Sequence, residues 1–218
     1  VVAQITEGTA FDKRGRPFRR RSYLPGILLF GALAAVTMMV WVIALSQPPD
    51  VREATVCNPP PPAADPAAPA QQLGEQVSRE TMTDVTPAKL AEAKIRVLNA
   101  SGQGGQAAEV AGELRDLGFA EPAAANDTVY VNAGLQCQGQ IRFGPSGRAA
   151  AAAVWLVAPC TELFQDQRGD DTVDLAIGTE FTQLSRSDDI DAVLASLRPD
   201  ATAAADPTLL AKIHTAAC

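Results

Sequence analysis

IRVLNASGQGGQAAEVAGELRDLGF, running from Ile95 to Phe119, decides how the rest of the chain is read. Ile95 to Asn99 has strand character, with apolar and β-branched residues flanking Arg96. A glycine-rich turn, Gly102 to Gly105, follows at once. Apolar residues then recur at Ala107, Val110, Ala111, Leu114 and Leu117, a spacing that lines one face of a helix. Gly118 is placed to stop that helix.

Outward from this unit the pattern continues. Thr86-Pro87 predicts an N-cap with proline at the first helical position and a short helix through Ala93. Thr128–Val131 reads as a second strand, and Gln140–Phe143 as a third, ended by Gly144-Pro145. Arg148 to Ala158 is an alanine-rich helix closed by Pro159. Thr172–Ile177 alternates its large apolar residues, as a strand with one buried face should. Ser187 caps a helix with an acidic first turn that ends near Leu197, and a last short helix is expected from Pro207 to Ala216. The order is strand, helix, strand, strand, helix, strand. That predicts an α+β domain of the split βαβ type (βαββαβ), with four strands and two helices on one face.

The N-terminal part is of another kind. LPGILLFGALAAVTMMVWVIAL, Leu24 to Leu45, is 22 residues without a charge. At about 1.5 Å per residue it reaches the roughly 30 Å of a bilayer's hydrocarbon core. The preceding 23 residues carry six basic and two acidic side chains, so positive-inside bias places the N-terminus in the cytoplasm. Ala44-Leu45-Ser46 offers a signal-peptidase site as the alternative. The apolar run is longer than a usual signal core, of roughly 7–15 residues, and it holds the bulky Met38, Met39 and Trp41. The organisation expected is a basic cytoplasmic tail (1–23), a single transmembrane anchor (24–45), a Pro/Ala-rich stalk (46–84), an extracytoplasmic domain (85–198) and a C-terminal tail with a short helix (199–218). In the stalk, QPPDVREATVCNPPPPAADPAAPAQQ favours extended polyproline geometry.

The chain's net charge is −7 and the basic tail contributes +4, which leaves −11 beyond it. That balance counts against nucleic acid as a partner. The four cysteines, Cys57, Cys137, Cys160 and Cys218, all lie beyond the anchor and read as a disulfide framework. Zinc would want paired cysteines or nearby histidines, and His214 is the chain's one histidine, so no metal is expected. Among three pairings the inferred topology favours Cys137–Cys160, because the start of the third strand and the end of the second helix share an edge. Cys57–Cys218 would be the remaining bond.

Gly102 to Ala107 fits G-x-G-x-x-A between a strand and a helix, a geometry that offers helix-start amides to phosphate or carboxylate. A dinucleotide site would need a second strand ending near Glu121, and Ala120 to Asp127 reads as a loop instead. No cofactor is expected.

The same residues resemble the LytR C-terminal domain family: a short strand with Asn99, then Gly102, then Gly105-Gln106-Ala107, and a helix closing in Gly118-Phe119. The resemblance extends from Ile95 to about Phe181. In that family the domain often follows a LytR-CpsA-Psr phosphotransferase that attaches glycopolymers to peptidoglycan, and no arginine-rich constellation of that kind is found here. The resemblance therefore implies an accessory role at the cell envelope, with wall glycan or wall-assembly proteins as partners.

The candidate ligand-binding residues are Asn99, Ser101, Gly102, Gly104 and Gly105. The simpler reading gives Asn99 and Ser101 the work of satisfying turn amides, and the glycines that of backbone geometry. Arg142, Arg148 and Trp155 are weighed as a ligand surface, against Trp155 in the core and solvated arginines. Asp170, Asp171 and Asp174 read as solvated charge, and His214 is too isolated to serve as a base. No catalytic residues are assigned. The expected function is non-enzymatic, with a wall-glycan hydrolase or transferase as the rival.

Overall fold

The computed structural model describes residues 23–46, 56–62, 73–131 and 133–215, which fall in two units. The first holds α1 (Leu24–Ser46), a 23-residue helix that ends one residue beyond the expected boundary. Its apolar side chains are exposed all round through Val42, with no polar stripe to face water. By length and composition it is a candidate to cross a bilayer.

The second unit is a mixed sheet of six strands in the order β1-β5-β4-β6-β2-β3. The strands are β1 (Glu75–Gln76), β2 (Ile95–Asn99), β3 (Ala123–Asn126), β4 (Gly139–Phe143), β5 (Glu162–Gln165) and β6 (Val173–Ile177). Two crossovers build it. α3 (Gln106–Asp116) joins the parallel pair β2 and β3, and α4 (Arg148–Val157) joins the parallel pair β4 and β5. β6 zips the halves together, parallel to β2 and antiparallel to β4. The remaining helices are α2 (Arg79–Thr83), α5 (Asp188–Ser196) and α6 (Pro207–Thr215).

The four-stranded expectation is thus corrected to six strands. No strand forms at Thr128–Val131, because Asp127 Oδ1 accepts from the amides of Val129 and Tyr130 (2.5 and 2.8 Å) and winds that segment into a turn. The strand lies just before it, at Ala123–Asn126, paired in register with β2. The helix expected from Thr86 to Ala93 is reduced to a 3₁₀ turn, Leu90–Glu92. The amides of Ala88 and Leu90 are taken by the carbonyls of Ala149 and Leu197, so they cannot serve a helix of their own. β1 and α2 fall within the stretch read from the sequence as stalk. The Ser187 cap matches expectation: its Oγ accepts from Ile190 N at 3.2 Å to open α5.

Side chains alternate across the sheet and divide its burial between two faces. Ile95, Val97, Ile141, Phe143, Leu175 and Ile177 join α3, α4 and α5 in the main core. α4 is buried from Ala150 to its end, and its alanines let the backbone lie close between the sheet on one side and α2 and α6 on the other. Trp155 is fully buried and donates Nε1–H to the Pro159 carbonyl at 3.1 Å. The His214 ring stacks on it with centroids 4.0 Å apart.

The other face carries Leu98 and Ala176 under Leu73, Ala100, Tyr130, Leu135 and Cys137. A Cys57–Cys137 disulfide pins the segment around Cys57 onto it. This overturns both expected pairings. Cys137 turns onto the second face, where Cys57 meets it, while Cys160 stays in the turn between α4 and β5. Cys218 lies outside the described residues.

Two expectations of solvated charge are also corrected on this face. Arg142 is buried and pairs with the buried Asp127 at 2.7 Å, while its Nε and Nη2 donate to Gln140 Oε1. Asp174 is buried between Arg96 (2.7 Å) and Arg168 (2.8 Å). Burial alone would lower the Arg168 value, but the Asp166 and Asp174 carboxylates outweigh it and hold the guanidinium above its usual range.

Breaking one side of a buried pair strands the other charge. Arg142→Met should cost about 3–5 kcal/mol. Adding Asp127→Asn, which keeps the turn acceptor and removes the orphaned charge, should recover a large part of that. Urea denaturation of both singles and the double tests it, and additive losses would contradict the coupling.

His214 supplies a pH signature. Neither ring nitrogen has a hydrogen-bond partner among the described residues. Burial, then the Arg79 charge, push its pKa down to about 4. An unfolded histidine, near 6.5, binds its proton more readily, so this contribution is complete above about pH 6.5 and is lost as pH falls toward 4. Lys212 and Asp189 pair at 2.6 Å at the α5–α6 seam. The thermal midpoint should fall across it, and His214→Phe should flatten the slope. An unchanged slope in the variant would remove His214 as the cause.

Candidate ligand site at the glycine turn

β2 ends at Asn99, and the chain must rise from the sheet into α3 within a few residues. Asn99 makes that possible. Its Oδ1 accepts from the amides of Ser101 (3.1 Å) and Gly102 (3.2 Å), and its Nδ2 donates to the Gln103 carbonyl at 2.6 Å. Ser101 Oγ donates to Asn99 Oδ1 and accepts from Gln103 N. The sequence candidates are therefore brought together, and the amides of residues 101–103 are spent inside the turn. Gly102 and Gly105 hold φ of +78° and +86°, which L side chains rarely adopt, whereas Gly104 has no such constraint. All three lie in open space.

Beside the turn is a cleft of about 260 Å³ between Gln103-Gly104, the outer side of α3 (Gln106, Glu109, Val110, Glu113) and the Phe181–Gln183 segment. Gln106 ties the walls together: its Oε1 lies 2.6 Å from Ser101 Oγ and its Nε2 donates to the Phe181 carbonyl at 3.2 Å. Three carboxamides, one hydroxyl and two carboxylates present neutral and anionic hydrogen-bonding groups with no cation among them. The lining suits an uncharged or cationic ligand rich in hydroxyls and amides, and it repels phosphate.

Gln106, Glu109, Glu113, Thr182 and Gln183 were not among the sequence candidates. Positions 106, 109 and 113 share a helix face and were legible as such. Nothing in the sequence places residues 181–183 opposite them. Arg142 and Trp155 are in the interior, and Arg148 donates to the Thr81 carbonyl at 3.0 Å, so none joins the turn. Asp171 pairs with Lys94 at 3.0 Å, and Asp170 accepts from Thr172 N at 2.9 Å. No group of three or more His, Cys, Asp or Glu side chains set to hold a metal occurs among the described residues.

The geometry coincides with a family match. Residues 92–181 fit the family described as LytR cell envelope-related transcriptional attenuator, a span that opens just before β2 and closes on Phe181 in the cleft wall. Over its full length the chain is 65% identical to the cell envelope integrity protein Cei of Mycobacterium tuberculosis, covering all of both proteins. The chain belongs to the Cei family. A crystal structure of the soluble domain of a conserved hypothetical secreted protein from Mycobacterium marinum is 69% identical, with a TM-score of 0.67. It covers 68% of this chain and 100% of that one. The Cei-type domain thus carries the glycine turn inside the LytR C-terminal match, while the facing segment straddles its edge, with Phe181 inside and Thr182 and Gln183 just beyond.

The turn makes a sharp distinction among its glycines. Gly102→Ala and Gly105→Ala should each destabilise by roughly 1 kcal/mol or more, because φ is positive there, and Gly104→Ala should be near neutral. Denaturant midpoints would decide it. Equal losses at all three positions would mean that crowding, not backbone conformation, selects glycine.

Proposed function

We propose that this chain is a non-enzymatic envelope protein, anchored by α1 as a single span, that supports envelope integrity by binding wall glycan or wall-assembly proteins. The observation that carries this reading is the cleft beside the glycine turn, whose carboxamides, hydroxyl and carboxylates match a hydroxyl- and amide-rich polymer. The Cei relative's own name, cell envelope integrity protein, supports the setting. So does the secreted relative from M. marinum. The Cys57–Cys137 disulfide fits an oxidising compartment, and with the basic residues before Leu24 it supports a cytoplasmic N-terminus and an extracytoplasmic domain.

The rival, a glycan hydrolase or transferase, would look to Glu109 and Glu113. Glycosidase carboxylates flank the scissile bond from two sides. These two stand four residues apart on one helix and so form a single wall of the cleft.

The full chain in detergent should sediment with purified peptidoglycan. Thr182→Trp, which fills the cleft, should reduce that binding at least tenfold while leaving the thermal midpoint in place. Retention of binding in the variant would remove the cleft from the function, and release of soluble glycan fragments by the unaltered chain would establish the enzyme reading. Protease added outside intact cells should digest the domain and spare an N-terminal tag. A protected domain would reverse the orientation.

A further inference from the structure

β3 closes the sheet on one side, and among the described residues no strand pairs with its outer edge. We propose that two copies of the chain meet at this edge, β3 against β3, in antiparallel pairing across a two-fold axis.

The hydrogen-bond pattern shows which groups are open. Asp127 N donates to the Asn99 carbonyl at 3.0 Å, the last rung of the ladder with β2. Backbone groups alternate sides along a strand, so those of Ala123 and Ala125 also face β2. Ala124 and Asn126 therefore turn their N–H and C=O outward. Exposed edges are normally blunted by lysine, inward-pointing charge, proline or a bulge. β3 itself carries three alanines and an asparagine, exposed along its length. Pro122 before it has no N–H to give, and the Asp127 turn ends the strand after it, so the open ladder is limited to two residues.

That limit fits a second copy better than a longer foreign strand, and it fixes the register. With the axis at Ala125, Ala124 faces the partner's Asn126, and Asn126 faces the partner's Ala124. Each pair exchanges both N–H···O bonds, so every open group on the edge is used. The strand carries no charge, so like charges do not face each other at the seam of this acidic chain. Beside the edge, Ala108 and Gly112 stand on the side of α3 turned away from the cleft. A Cβ on Gly112 would meet nothing within 4 Å, so the partner has room to approach. A four-residue seam buries far less than the about 1,200 Å² of a stable interface between free proteins. On the anchored reading above, α1 holds the copies in one membrane plane, where effective concentration makes up for the small area.

The test is site-directed cross-linking of the full chain, reconstituted at several copies per phospholipid vesicle. In this register Ala125 and the partner's Ala125 are a non-hydrogen-bonded pair with Cα atoms about 4.5 Å apart, within disulfide reach. The two Ala123 positions lie roughly 14 Å apart, out of reach. On oxidation Ala125→Cys should give a dimer linked 125 to 125, and Ala123→Cys, on the same face of the strand, should not. Adding Ala124→Pro removes two of the four bonds and should cut that dimer roughly tenfold while the thermal midpoint stays in place. If the proline variant unfolds, the contrast between positions 125 and 123 decides alone. Flotation with the vesicles reports the anchoring separately. Equal cross-linking at both positions, or no 125–125 link in folded protein that floats, would overturn the proposal. So would position 125 joined to another protein.

Discussion

The buried pair between Arg142 and Asp127 organises one whole face of this domain. Arg142 stands on a central strand buried on both faces, so its charge must be met where water cannot meet it. Asp127 meets it and, with its other oxygen, holds the amides of Val129 and Tyr130. That turn delivers the buried Tyr130 over the sheet, 5.7 Å from the Arg142 guanidinium. The Tyr130 hydroxyl donates to the Asn58 carbonyl at 2.9 Å, and the Asn58 side chain accepts from Gln136 N and donates to the Gly134 carbonyl. The Cys57–Cys137 disulfide closes the same circuit covalently. A segment far upstream in sequence thus covers the sheet because one arginine required a carboxylate.

That dependence explains what could be read from the sequence. Helices α3, α4, α5 and α6 declared themselves by apolar spacing and by local punctuation such as Gly118, Pro159 and Ser187, all short-range signals. β3 did not, since Ala123–Asn126 has almost no strand propensity and is exposed along its length. Its place is set by pairing with β2 and by the turn at Asp127, a tertiary cause. The same holds for Asp174, which looked solvated until Arg96 and Arg168 were seen to enclose it. The disulfide expectation failed through a matter of faces. Strand start and helix end were compared along the sheet, whereas the partner of Cys137 lies above it.

The glycine turn shows how a motif changes meaning with its hydrogen bonds. As a pattern it promises free amides at a helix start. Asn99 and Ser101 consume the amides of residues 101–103, so the turn acts as a bracket, and the polar groups that line the cleft beside it belong mostly to its neighbours. Those neighbours are side chains of α3 and of the segment after β6. The candidate residues named from sequence form the turn beside the cleft, and the side chains that line the cleft are mostly others.

The location of that corner follows from topology. In open sheets with helical crossovers, ligands gather beyond the carboxyl ends of parallel strands, where helices begin and loops diverge. β2 and β6 are parallel neighbours, and their carboxyl ends are Asn99 and Ile177. From one the chain turns into α3; from the other it runs to Phe181–Gln183, and the cleft opens between them. β4 runs antiparallel to β6, so its carboxyl end points to the opposite side. Reversing the chain direction at the β4–β6 seam gives the domain one end that carries the turn and the cleft. It leaves the second face to the ion pairs and the disulfide that hold the sheet rigid beneath it.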